Sequence, residues 1–201
     1  MPLQIYNSLS DQKEPFNPVH EGQASLYVCG PTVYSDSHLG HAKAYVSFDV
    51  ILRYLRFCGL KTLYVQNITD VGHLMGDADE GEDKLLKRAR ELNQEPMAVA
   101  ESYSRRHFEA MDLLEVIRPD ISPRATGHIP EQLEAIEKLL EHGLAYESNG
   151  SVYFEITKDP KYGELSNRKV EEMKSGARVK VRSEKRHPGD FALWKRAEPG
   201  H

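Results

Sequence analysis

Apolar residues recur at two spacings along this chain, and the switches between them predict the order of elements. Ser25-Leu26-Tyr27-Val28-Cys29 is a short β-prone run stopped by Gly30-Pro31. A polar loop over 32–37 follows. From about Gly40 the apolar positions Ala44, Phe48, Ile51, Leu55 and Cys58 recur at threes and fours, which predicts a helix with Cys58 in the core and Gly59 as C-terminal cap. Residues 60–66, with Leu63, Tyr64 and Val65 together, predict a second buried strand. Helices are expected over about 82–93 and 96–115, the second opened by Pro96, and another over 130–142 that stops at Gly143. Ala145-Tyr146 and 151–156 flank Asn149-Gly150, the strongest short hairpin signal.

A strand, loop, helix and strand in this order are the βαβ opening of a parallel sheet, so the expected class is α/β. Residues 1–24 hold Pro15, Pro18 and Gly22 and read as an irregular lead-in. Residues 25–119 form the first half of the sheet domain and 120–190 a smaller mixed α+β insertion. Phe191-Ala192-Leu193-Trp194 starts a return to the first domain over 191–201. The segment from 157 to 190 is polar and poor in periodicity.

Composition changes this picture little. Of 201 residues, 39% are hydrophobic and 28% charged, an ordinary globular mixture. The apolar runs fall far short of the roughly 20 residues that span a bilayer, so no membrane partner is expected. The first residues lack a basic region followed by an apolar core, so no signal peptide is expected, and two cysteines cannot build a disulfide framework. These features suggest the cytoplasm. The net charge of −5 hides an asymmetry: 168–196 carries ten Lys/Arg against four Asp/Glu. That stretch is either a solvated face or an attractor of phosphates. Five carboxylates within 77–83 suggest a surface loop opening a helix, and a Ca²⁺ or Mg²⁺ site there lacks EF-hand spacing.

The sharpest local feature is His38-Leu39-Gly40-His41, at the mouth of a helix beyond a strand's carboxyl end. Ligands of open α/β sheets bind there, and a helix N-terminus offers free N–H groups and about half a positive charge. Gly40 would admit a ligand close to the backbone, and two imidazoles could donate to charge developing on phosphate oxygens. The alternative is two unrelated surface histidines. Neither a Walker loop nor G-x-G-x-x-G occurs. Cys29 ends the first strand at the same crevice, as either a small buried hydrophobe or a ligand. Thr69 and Asp70 end the second strand at that edge.

Tyr27-Val28-Cys29-Gly30-Pro31-Thr32-Val33-Tyr34, followed by His38-Leu39-Gly40-His41, Phe48-Asp49 and Arg53-Tyr54-Leu55, resembles cysteinyl-tRNA synthetase, a class I aminoacyl-tRNA synthetase. The likeness continues through Tyr64-Val65-Gln66-Asn67-Ile68-Thr69-Asp70, Lys87-Arg88-Ala89, the region from His128-Ile129 to Tyr146, Ser175-Gly176-Ala177-Arg178-Val179 and Phe191-Ala192-Leu193-Trp194-Lys195. It implies a Rossmann-like parallel sheet interrupted by a connective insertion. It also implies ATP-dependent activation of L-cysteine to cysteinyl-adenylate and transfer to the 3′ end of tRNA(Cys). By the resemblance His38 and His41 are catalytic. Pro31, Thr32, Tyr34, His38, Gly40 and His41 line the ATP, which arrives with Mg²⁺. Gly30, Thr32 and Thr69 line the cysteine pocket, and Cys29 is one ligand of a Zn²⁺ that binds the substrate thiolate.

The chain departs from the family in carrying no Lys-Met-Ser-Lys-Ser and only the first of four zinc ligands, with Leu39 where Ile is commoner. The expectation is therefore an amino-terminal portion, inactive alone. Alternatives are the mycothiol-pathway ligase that joins cysteine to an amino-sugar, a short non-catalytic nucleotide-binding paralogue, and an unrelated nucleotidyltransferase with H-x-G-H.

Overall fold

The computed structural model describes residues 3–72, 83–167 and 184–197. Its elements are β1 (Gln4–Asn7), β2 (Gln12–Pro15), β3 (Gln23–Val28), α1 (Leu39–Phe57), β4 (Lys61–Gln66), α2 (Lys84–Leu92), α3 (Pro96–Leu113), α4 (Ile129–Glu141), β5 (Ala145–Ser148), β6 (Ser151–Phe154) and β7 (Phe191–Trp194). They fall into two units, Asn17–Ile129 and the pair of segments Met1–Phe16 and Pro130–His201.

In the unit Asn17–Ile129, β3 and β4 pair in parallel, from Gln23 opposite Lys61 to Val28 opposite Gln66, with α1 as the crossover. A further parallel segment lies on the far side of β4, bridging Val65 to Ile121 and Ile68 to Arg124. Its register is fixed from both strands: Gln66 N donates to Ile121 O (3.0 Å), Ile68 N to Pro123 O (2.8 Å) and Tyr64 N to the Asp120 carboxylate (2.7 Å). One core cluster joins Val28, Tyr45, Leu52, Tyr64, Met111 and Val116; another joins Val33, Ile68, Leu85, Ala89, Val99, Ala100 and Tyr103.

Helix α1 buries a column one step round from the expected stripe. Tyr45, Asp49, Leu52 and Leu55 are buried and Phe48 is half-buried, whereas Ala44, Ile51 and Cys58 are exposed. Asp49 sits in the apolar column because Arg53 Nε (2.6 Å) and Ile117 N (2.9 Å) both donate to it; a buried carboxylate persists only when so partnered. Cys58 is the C-cap, beyond the last inward-facing turn, which corrects its assignment to the core. Gly59 follows with φ +81°, the left-handed conformation that ends a helix at least cost in glycine.

The lead-in is not irregular: β1 and β2 form an antiparallel hairpin, Gln4 opposite Pro15 through Asn7 opposite Gln12. Seven of its eight strand residues are exposed, so no hydrophobic alternation announced it. In the same unit β5 and β6 turn at Asn149 (φ 50°) and Gly150 (φ 76°), the left-handed pair a two-residue hairpin requires. β7 adds antiparallel to β6. Asp190, fully buried just before β7, accepts from Tyr146 Oη (2.8 Å), Ile156 N (3.1 Å) and His187 N (2.9 Å) and ties these strands together.

Residues 77–82 of the acidic run, the 175–179 block and most of the basic stretch lie outside the described residues. Asp83, the last of the acidic run, is not a surface group. It is buried as the N-cap of α2, accepting from Leu85 N (2.7 Å), Leu86 N (3.1 Å) and Gly72 N (2.9 Å). Among the described residues no helix is long and apolar enough to cross a membrane.

Candidate functional site

The carboxyl ends of β3 and β4 carry the sequence-predicted residues. Beyond Val28 the two segments run on side by side with the register shifted by one residue, so that Thr32 bridges Thr69. Thr69 N donates to Pro31 O (3.0 Å) and Val33 N to Thr69 O (3.2 Å). Gly30 N donates to Asn67 Oδ1 (2.8 Å), and Asn67 Nδ2 to Thr69 Oγ1 (3.2 Å). Gly30, Thr32 and Thr69 therefore stand together, with Asn67 as the clamp. A Cβ on Gly30 would lie 1.5 Å from the Asn67 carbonyl oxygen, so only glycine fits this approach.

His38 and His41 form a capping box at the start of α1. Gly40 N donates to His38 Nδ1 (3.0 Å), and His38 N donates to His41 Nδ1 (3.1 Å). Both Nδ1 atoms are thereby acceptors, which places each ring proton on Nε2. The rings stack at 4.0 Å. Two Nε2–H donors are thus held side by side at a helix N-terminus, where the dipole favours an anion. Gly40 is needed first by the protein: a Cβ there would lie 2.8 Å from His38 Cε1. Burial, and then the neighbouring His38, lower the His41 pKa, so neutral pH keeps it a neutral donor.

Beneath the pair lies an aromatic column. His41 stacks on Tyr45 at 6.3 Å, and Tyr45 meets His107 edge-on at 5.2 Å. Tyr45 Oη donates to Cys29 O (3.3 Å), linking α1 to the end of β3. Burial pushes the Tyr45 phenol up to about 12 and the His107 imidazole down to about 4, so both stay neutral. His107 is 3% exposed; its Nδ1 lies 2.9 Å from Ser37 Oγ, and among the described residues its Nε2 has no hydrogen-bond partner. Arg106 pairs with Asp36 (2.6 Å), so α3 holds the loop before His38 at two successive residues.

Tyr34 takes a different course. It packs against the Val33–Ile68–Leu85 cluster, with Lys84 Nζ 5.4 Å from its ring, on the α2 side. Cys29 is an exposed free thiol rather than a buried hydrophobe. No group of three or more His, Cys, Asp or Glu able to hold a metal exists among the described residues, so these do not complete a zinc site. Asp70 is buried and structural: Thr126 N (3.0 Å) and Thr126 Oγ1 (2.6 Å) donate to it. Sequence reasoning missed Asn67, Tyr45 and His107. Asn67 beside Gly30 gave only the signal of a strand end, and His107 looked like one more residue of a helix face.

The family model described as tRNA synthetases class I (C) catalytic domain matches residues 15–201. A cysteine–tRNA ligase of Chlorobaculum tepidum is 61% identical over 204 residues, covering 99% of this chain and 42% of the relative. One from a strain of Thermus thermophilus is 57% identical over 201 residues (100% and 42%). That of Deinococcus radiodurans is 57% identical over 199 residues (99% and 40%). The chain thus spans about two fifths of the length of the curated relatives it matches.

Proposed function

Because the chain belongs to the class I (C) tRNA synthetase catalytic-domain family, we propose that it supplies the first half of the catalytic domain of a cysteine–tRNA ligase. On this reading 25–119 opens a Rossmann-like sheet, 120–190 is the connective insertion, and 191–201, whose β7 still pairs with β6 of that insertion, leads into the return, in a cytoplasmic enzyme acting on tRNA(Cys). The carboxylate oxygen of L-cysteine attacks the α-phosphorus of ATP in line. A P–O bond forms, the bond to the β-phosphate oxygen breaks, and pyrophosphate leaves with its charge shared by Mg²⁺.

The observation that carries this reading is the His38–His41 pair. Two imidazoles whose Nδ1 atoms accept from the backbone, leaving Nε2–H as the donor, can donate to the phosphate oxygens on which charge develops. They need no reorganisation to do so, which is where preorganised donors are most effective. Pro31, Thr32 and Gly40 would frame the ATP side, and Gly30, Thr32 and Thr69 the cysteine side, while Tyr34 stands on the α2 side. Cys29, exposed at the strand end, would give one thiolate to zinc, and the described residues hold no group of three or more His, Cys, Asp or Glu that would complete its coordination.

The test is cysteine-dependent ATP–pyrophosphate exchange by the protein at its full natural length. Removing one preorganised donor typically costs 10²–10³ in rate, so His41→Ala should slow exchange by roughly that factor with cysteine affinity nearly intact. A parallel fall of both would make His41 structural. Exchange that is absent from the unmodified protein, or product formed on an amino-sugar instead of tRNA, would overturn the ligase reading.

A further inference from the structure

One cavity of about 450 Å³ stands apart from the histidine pair, lined by Tyr34, Ser35, Lys84, Lys87, Arg88 and Glu91. Its helical wall is built by spacing: 84, 87, 88 and 91 are i, i+3, i+4 and i+7, one face of α2. Three cations meet one carboxylate. Arg88 and Glu91 largely satisfy each other (2.9 Å), while Arg88 Nε (3.1 Å) and Nη2 (2.9 Å) also donate to Tyr103 Oη, which pins the guanidinium. Lys84 is parked over the Tyr34 ring. Among the described residues neither Lys84 nor Lys87 is in an ion pair, so two ammonium groups line the cavity without a described carboxylate partner.

We propose that this cavity binds phosphate groups of an RNA sugar–phosphate backbone, an inference that rests on the tRNA ligase reading. The ligand must be anionic, and two ammonium groups on flexible stems match phosphate as point charges without reading sequence. The wall that carries charge is made of side chains on one helix face, an arrangement suited to a backbone running past rather than to a chelated nucleotide. Tyr34 and Ser35 belong to the loop that ends at His38, so an RNA strand held here lies beside the residues proposed to form the adenylate. Ser37 and Asp36 anchor the other end of that loop to α3, leaving the Tyr34 end to face α2.

The test compares the protein at its full natural length with its Lys84→Gln/Lys87→Gln and Lys84→Arg/Lys87→Arg variants. Each phosphate contact contributes about 0.7–0.9 to the salt slope of RNA affinity, so losing two weakens tRNA binding roughly 15- to 30-fold at 0.15 M salt and flattens the slope by about 1.4–1.8. The Gln variant should show that loss with cysteine-dependent ATP–pyrophosphate exchange unchanged, and the Arg variant should restore binding. Unchanged tRNA affinity and slope would overturn the inference while leaving the ligase reading intact. Loss of exchange with tRNA binding retained, relieved by added inorganic pyrophosphate, would also overturn it and assign the lysines to a free polyphosphate. No exchange in the unmodified protein is failure of the ligase reading itself.

Discussion

Replacing Gly30 by alanine tests the geometry of the candidate site where it is tightest. The new methyl would lie 1.5 Å from the Asn67 carbonyl oxygen and 2.6 Å from its carbon, whereas real Cβ contacts stay above 3.0 Å, so the two strand ends must part by about 1.5 Å. Backbone blocks the methyl, so no side-chain rotation relieves it. Parting severs the Gly30 N to Asn67 Oδ1 bond (2.8 Å) and strains the two backbone bonds through Thr69 (3.0 and 3.2 Å). At about 1 kcal/mol per hydrogen bond, the loss is roughly 3 kcal/mol. Gly59→Ala is the companion. There nothing lies within 4 Å, and only the φ of +81° opposes a side chain, a cost of about 1–2 kcal/mol. Scanning calorimetry of the full-length protein should place Gly30→Ala several degrees below Gly59→Ala. Exchange kinetics should show a raised KM for cysteine in Gly30→Ala alone, because Gly30, Thr32 and Thr69 move together. A Gly30→Ala protein matching the unmodified one in both would refute the steric argument and the cysteine-side assignment with it.

Two further outcomes follow from burial. His107 is held neutral in the folded protein with its pKa lowered from 6.5 to about 4, so the unfolded chain binds the extra proton first and stability falls as pH drops through that window. Between pH 7.5 and pH 5 the loss from this group is about 2 kcal/mol, and His107→Phe should abolish that part of the pH dependence in urea titrations; an unchanged profile would remove His107 as its source. Cys58→Ser should shift stability by less than about 0.5 kcal/mol, because the thiol is exposed at a helix cap, and a loss of 2 kcal/mol or more would return it to the core.

Most of the fold was legible because the signals that set it are local. The β3–α1–β4 unit follows from two β-prone runs and a helical period, α3 from Pro96 at its first position, and the β5–β6 turn from Asn149-Gly150. What escaped depends on partners distant in sequence. The β1–β2 hairpin buries almost nothing, so its pattern is silent. The face of α1 is decided by Asp49, whose burial makes sense only once Ile117 supplies a donor 68 residues away. A periodicity count treats Asp49 as polar and rotates the stripe toward Ile51 and Cys58.

The candidate site divides in the same way. His38 and His41 are found by their tetrapeptide, but what makes them useful is which nitrogen each leaves free, and that is fixed by two backbone donors, His38 N and Gly40 N. Gly40 reads equally as room for a ligand or as room for a cap, and the His38 ring at 2.8 Å shows the cap to be a requirement in its own right. The two roles are compatible and ordered. The cap consumes both Nδ1 lone pairs, and only then are both Nε2–H groups obliged to point away from the helix backbone. A glycine between two histidines at this spacing is thus the condition for a pair of preset donors, so Gly40→Ala, whose methyl would press on the His38 ring at 2.8 Å, would disarm the pair while leaving both histidines in the sequence.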